Sequence, residues 1–218
     1  MLSLRHKDET ISERGGIMYK TITINRMYGS NGRRIGKALA ERLGIRYYDK
    51  ELLKIIENRK DIPYEELVKV DEKRSTGWIY PIREALQLDP EYRVEPMSDR
   101  VFCGQAEIIR EIAATSDSVI IGRCSNDLLR NTPGVRRVFI YAPKDYRIDV
   151  VEKRSGIGKK EATALVKKMD KQRRYYYNYF TDGSWDDLRA YDLCIDSSRF
   201  SSKEIVELLM QLYKGIEE

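Results

Sequence analysis

Histidine and cysteine are almost absent from this chain. Among its 218 residues there is one histidine, His6, and there are three cysteines, Cys103, Cys124 and Cys194. The cysteines are far apart, odd in number and form no C-x-x-C pair. That excludes a zinc ribbon and a disulfide framework, and it fits a reducing compartment. A lone histidine in a polar N-terminal segment argues against any histidine-based triad. Long apolar runs are also missing. The longest are short, such as "VIIG" from Val119, and none approaches the ~18 residues of a spanning helix. The N-terminus carries Arg5, Lys7, Asp8 and Glu9 without an apolar core, so it does not read as a secretory signal. The expectation is a cytoplasmic protein without a membrane partner. Dense Lys/Arg blocks are lacking as well. RNA binding therefore rests on a mild charge excess alone, and nucleic acid is not an expected partner.

What is present is globular in character. Hydrophobic residues make up 41% and charged residues 34%, enough for a sizeable core under a heavily charged surface. Forty basic residues against thirty-five acidic ones give a net charge of +5. That balance suits a chain that handles anions, phosphate esters being the obvious class. A mixed solvated surface accounts for most of the charges.

Residues 1–17 are polar, lack apolar periodicity and read as a disordered extension. A start at Met18 is the other reading. A single domain is expected over 18–218. Residues 19–25, "YKTITIN", are dense in β-branched side chains and predict a strand. The turn-rich "RMYGSNGRR" follows, with Gly29 and Gly32. Apolar positions then recur at Ile35, Leu39 and Leu43, which is helical spacing, and Gly44 stands ready as the C-cap. A short strand over 45–49 and helices over 50–59 and 64–73 come next. Residues 76–99 hold Trp78, Pro81, Pro90 and Pro96 and break any long periodicity. Two readings of that segment stand side by side, an insertion that covers a substrate and an ordinary surface connection.

The rest alternates. A helix is expected over 101–114, strands over 118–123 ("SVIIGR") and 136–143 ("RRVFIYAP"), and a helix over 144–154. The turn "SGIGKK", a long helix over 161–179, a strand over 191–198 and a closing helix over 203–213 complete the pattern. Apolar runs without period-2 alternation suit strands buried on both faces. Five such strands alternating with helices imply an α/β fold, a five-stranded parallel sheet with helices on both faces.

A strand, a glycine-rich loop and a helix in succession form a device for holding phosphate. The glycines let the backbone curl so that several N–H groups point inward, and the helix N-terminus adds partial positive charge. Arg33 and Arg34 sit in the first helical turn, where cations are unfavourable unless an anion is near. A plain strand-to-helix turn with two solvated arginines is the bland alternative. The loop departs from G-x-x-x-x-G-K-[ST]. An ungapped alignment of strand and helix with an ordinary nucleotide kinase puts Gly32 at the lysine and Arg34 at the hydroxyl residue that meets magnesium.

The stretch "ITINRMYGSNGRRIGKALAERLGIRYYDKELL" resembles the opening of the cytidylate kinase-like family, whose loop reads Y-G-S-x-G-R-x-I. The resemblance continues through "VIIGRCSNDLL", "VFIYAPKDYRI" and "MDKQRRYYYNYFTDGSWDDLRAYDLCIDSS", and covers most of residues 19–214. It implies a P-loop nucleoside monophosphate kinase fold: a three-layer sandwich with a helical lid and its flanking helices over about 147–174. The implied activity is phosphoryl transfer from ATP, with Mg2+, to a nucleoside monophosphate or a similar small acceptor. A nucleotide is thus the expected small-molecule partner. Residues Arg26, Tyr28, Gly29, Ser30, Asn31, Gly32, Arg33 and Arg34 would surround the donor phosphates, with Arg33 and Arg34 partly replacing the lysine. Asp49 matches an acidic residue at the nucleotide site. Arg123 matches the arginine of a D-G-R motif, whose aspartate is Ile121 here. Arg147, Arg154, Asp170 and Arg173 match the lid and its flanks. By spacing alone, Asp170 with Arg173 or Arg174 also reads as an ordinary helix-surface ion pair. The tyrosine run Tyr175, Tyr176, Tyr177 and Tyr179 reads as packing rather than base stacking, and Trp185 as a loop anchor. A non-catalytic nucleotide- or anion-binding module is the rival reading.

Overall fold

The computed structural model describes residues 18–49, residues 52, 54, 55 and 58, and residues 97–216. The expected N-terminal extension, the helix over 64–73 and nearly all of the irregular segment over 76–99 lie outside the described residues.

Strand β1 (Thr21–Arg26) lies at the centre of the sheet, as its β-branched run requires, with Ile22 and Ile24 fully buried. Strands β2 (Arg46–Tyr48), β3 (Ser118–Ile121), β4 (Val135–Tyr141) and β5 (Leu193–Asp196) complete a five-stranded sheet in the order β2-β3-β1-β4-β5. Every pairing is parallel, with Thr21 opposite both Ser118 and Val135. Five parallel strands, expected from the alternating pattern, are what forms.

Helix α1 (Gly32–Leu43) packs its Ile35, Leu39 and Ala40 against Ile22, Ile24 and Ile121. The closing helix α6 (Ser202–Lys214) joins the same cluster through Ile205, Val206 and Leu209. Gly36 makes the close approach of α1 feasible, because a Cβ there would sit 2.6 Å from Ile121 Cδ1. Gly44 ends α1 at φ 69°, the left-handed C-cap expected of it. Helix α2 (Met97–Thr115) packs Ile108, Ile109 and Ile112 into a second cluster with Tyr48, Ile120 and Leu129. Helices therefore cover both faces, giving three layers.

Among the described residues, further α-helices are α3 (Ser125–Leu128), α4 (Lys144–Ser155) and α5 (Lys159–Phe180). The last two pack together through Ile148, Val151, Ala162 and Val166, and Tyr28 of the loop joins them. An aromatic cluster of Phe139, Tyr177, Trp185 and Tyr191 fills the space beside β4 and β5. Among the described residues no helix is long and apolar enough to cross a membrane. The chain leaves β1 for β2 on one side and comes back to β4 on the other. Such a reversal opens a crevice beyond the C-terminal ends of the strands, the ordinary place for a ligand in an open parallel sheet.

Candidate active site

The crevice is floored by residues 27–31, between β1 and α1. Two of its residues have left-handed backbones, Gly29 at φ 86° and Asn31 at φ 60°. Gly29 cannot be replaced cheaply, since a Cβ there would lie 2.6 Å from the Arg147 carbonyl oxygen. Ser30 is fully buried, and its hydroxyl donates to the carbonyls of Met27 and Ile140, fastening the loop to β4. Helix α1 has no acidic residue in its first turn and no side-chain cap. The N–H groups of Gly29, Asn31, Gly32, Arg33 and Arg34 donate to no acceptor among the described residues. An uncapped helix start beside free loop N–H groups is an anion cradle.

A second layer bolts the loop in place. The Tyr28 N–H donates to Asp170 Oδ1 at 2.8 Å, and Arg147 Nη1 reaches both Asp170 Oδ2 at 2.5 Å and the Tyr28 carbonyl at 3.0 Å. Arg147 Nε donates to the Ala142 carbonyl, so this buried guanidinium holds β4, the loop and α5 together. Asp170 is thus not paired with Arg173 or Arg174 as the i,i+3 and i,i+4 spacing suggests. It turns inward to the loop, and Arg174 pairs instead with Asp186 at 3.0 Å. Inward-facing partners were available, and a buried charge-assisted bond outweighs an exposed ion pair on a helix. Arg173 Nη1 donates to the Arg26 carbonyl at 2.8 Å. The guanidiniums of Arg154 and Arg173 lie 5.2 Å and 5.5 Å from the centre of the Tyr28 ring.

The cations gather around the cradle. Arg33 Nε is 2.5 Å from Asp49 Oδ2, and Arg26 Nη2 is 3.9 Å from Asp49 Oδ1. Asp49 raises the Arg33 guanidinium above its ordinary range. Burial lowers Arg26 despite the pull of Asp49, with Arg123 and Arg33 lowering it further. Loss of water and the neighbouring Arg26 push Arg173 down to about 9. A guanidinium remains charged at neutral pH, so these downward shifts record first the cost of taking two cations out of water and second their closeness to other arginines. An anion between them would relieve the second. Arg34 lies on the exposed side of the first turn of α1.

Arg123 follows β3 in a turn of three left-handed residues, Gly122 at φ 68°, Arg123 at φ 59° and Cys124 at φ 56°. The strand expected to run through Gly122 and Arg123 therefore ends at Ile121. Holding two non-glycine residues there costs roughly 1–2 kcal/mol each. The turn is held by Gly122 N–H donating to the Ile24 carbonyl and Ser125 N–H to the Gly122 carbonyl. A buried network supports it from below. Asn25 Nδ2 donates to Asn126 Oδ1 and to Tyr191 Oη, Asn126 Nδ2 donates to Tyr177 Oη, and Tyr191 Oη donates to the Trp185 carbonyl. Burial pushes the Tyr191 phenol well up, so it stays a donor. Neither Asn25, Asn126 nor Tyr191 stands out from sequence. Their only signal is that Asn25 closes the expected strand 19–25 and Tyr191 opens the expected strand 191–198. Tyr177 and Trp185 are buried packing residues, as expected.

The crevice fits a polyphosphate. Its loop offers unspent N–H groups, the buried Arg26 Nε has no acceptor among the described residues, and Arg26, Arg33, Arg123 and Arg173 outnumber the two described carboxylates that act on them, Asp49 and Asp170. Among the described residues it offers no free carboxylate cluster for a magnesium ion. The described residues contain no group of three or more metal-binding side chains, Arg34 stands where a hydroxyl would be, and Asp49 and Asp170 are both engaged by arginines.

The cytidylate kinase-like family model matches residues 21–199. The chain belongs to that family. No curated protein matches it in sequence. Among solved structures it is similar to a protein of uncharacterised function from Eubacterium ventriosum, at 27% identity over 90% of this chain and 99% of that one, with a TM-score of 0.67. The shikimate kinase of Bacteroides thetaiotaomicron aligns at 14% identity over 89% and 98% of the two chains, TM-score 0.51. A gluconokinase from Sinorhizobium meliloti aligns at 18% over 90% and 95%, TM-score 0.52. These two share the fold of this family member, a parallel α/β sandwich of the P-loop kinase kind.

Proposed function

We propose that this cytidylate kinase-like protein is a cytoplasmic phosphotransferase that moves the γ-phosphoryl group of ATP to a nucleoside monophosphate or a similar small phosphate-bearing acceptor. One observation carries the reading: an uncapped α1 N-terminus with unspent loop N–H groups, ringed by Arg26, Arg33, Arg123 and Arg173, at the C-terminal end of the sheet. Phosphoryl transfer asks mainly for positioning and charge stabilisation, which such a cradle supplies. In this reading the loop N–H groups orient the donor phosphates. Arg123, held at a strained φ by the Asn25 network, meets the acceptor phosphate. Arg154 and Arg173, stacked on Tyr28, close over the transferred group and exclude water. Magnesium would enter with the nucleotide, since Asp49 and Asp170, the two carboxylates at the cradle, are both engaged by arginines.

Magnesium-dependent ADP release with at least one of a panel of nucleoside monophosphates and small phosphate-bearing alcohols is the expected outcome. Arg123→Ala should lower it by at least ~100-fold, the scale of losing a transition-state cation contact. No turnover with the whole panel would overturn the kinase reading. A second reading, a nucleotide-binding module without turnover, is favoured by the commitment of both nearby carboxylates to arginines, which leaves neither as a free base. ATP binding without ADP release would select it.

A further inference from the structure

Gly32 stands where P-loop kinases carry their lysine, yet the space beside it is not empty of charge. Arg26, the last residue of β1, runs its side chain through a slot between two glycines. A Cβ at Gly32 would lie 2.6 Å from Arg26 Cβ, and a Cβ at Gly122 would collide with Arg26 Nη1. Both walls of the slot thus depend on the absence of a side chain. The Arg26 backbone is pinned from the far side by Arg173, which donates to its carbonyl. Its Nε is buried and has no acceptor among the described residues, and its Nη2 reaches Asp49 only at 3.9 Å. Arg33 is the opposite case, with a side chain 59% exposed and already in tight contact with Asp49.

We propose that Arg26, entering from the strand, supplies the phosphate-gripping cation that the helix supplies in a lysine-bearing loop. Its Nε and Nη groups donate to the β- and γ-phosphate oxygens of a nucleoside triphosphate lying on the Gly29–Arg34 N–H groups. Gly32 is glycine because Arg26 passes there. The proposal rests on the reading of the loop as a triphosphate cradle and deepens it. It also distinguishes phosphates: a monophosphate reaches the acceptor side and makes no demand on Arg26.

Calorimetric titration of ATP, ADP and AMP into the full chain tests it, alongside Arg26→Gln, Arg33→Gln and, as a charge control one turn along α1, Lys37→Gln. Loss of a charge-assisted bond pair predicts at least ~30-fold weaker ATP and ADP binding in Arg26→Gln. AMP binding should be unchanged, Arg33→Gln should lose less, and Lys37→Gln should bind as the parent does. ATP affinity within ~3-fold of the parent in Arg26→Gln, or equal weakening of AMP, overturns the proposal. Should that variant fold poorly, the Nε resonance of Arg26 in the unaltered protein gives the answer: it shifts with ATP and not with AMP if the proposal holds, and stays put with ATP if it fails. A parent chain that binds ATP while Arg26 is indifferent overturns the Arg26 assignment alone. A parent chain that binds no nucleotide overturns the cradle itself.

Discussion

At the scale of single residues, Asp170 shows how a charge on a helix can be claimed by something other than its helical neighbours. Its carboxylate accepts from the Tyr28 N–H and from Arg147, and both side chains of the ion pair are largely shielded, at 14% and 8% exposure. Removing one partner of such a pair leaves the other buried and unpaired, at a cost of about 3 kcal/mol. Asp170→Asn should therefore lower the unfolding free energy measured by denaturant titration by that amount and loosen the loop. A loss below ~0.5 kcal/mol, the worth of an exposed pair, would show that the contact is not structural. None of this was legible in the residue order. The spacing of Asp170 to Arg173 and Arg174 points to a local pair, whereas the true partners come from the loop 142 residues away and from Arg147 on the preceding helix. Long-range partners depend on which face a helix turns inward, and a polar residue carries no periodic signal for that. The Asn25–Asn126–Tyr191 network was hidden for the same reason.

At the scale of elements, most of the structure could be read in advance. β-branched runs without alternation gave central parallel strands, and Ile35, Leu39 and Leu43 gave α1 with Gly44 as its stop. The ends were less legible. "SVIIGR" gives no sign that Gly122 begins a left-handed turn that carries Arg123 out of the strand. Two glycines of α1 are explained only by what lies across from them, Gly32 by Arg26 and Gly36 by the sheet. A Cβ at Gly36 would come within 2.6 Å of Ile121 Cδ1 and 3.1 Å of Ile24 Cδ1, both on buried residues. Gly36→Val overpacks this interface and should cost about 2 kcal/mol. For a chain of this size that is a fall of roughly 4–8 °C in Tm. An unchanged Tm would mean that α1 is free to ride up from the sheet, and with it that the loop is less firmly set than the geometry indicates.

At the scale of the whole molecule, charge and topology agree. The parallel order β2-β3-β1-β4-β5 places the ends of β1 and β3 side by side, and the residues that follow those strands are Met27 to Asn31 and the Gly122 turn. The modest net charge of +5 says little by itself, because its effect comes from where the arginines are gathered. Arg26, Arg33, Arg123 and Arg173 meet over one helix start that has no acidic residue in its first turn. Membership of the cytidylate kinase-like family accounts for the fold, while the missing loop lysine makes the cradle's own hydrogen-bond donors the central issue. Amide hydrogen exchange across residues 29–34, with and without millimolar magnesium–ATP, addresses them directly. If the loop holds phosphate, the amides of Gly29, Asn31, Gly32, Arg33 and Arg34, which have no acceptor among the described residues, should slow by at least ~10-fold on binding. Exchange at those five amides that ATP leaves unchanged would contradict the account.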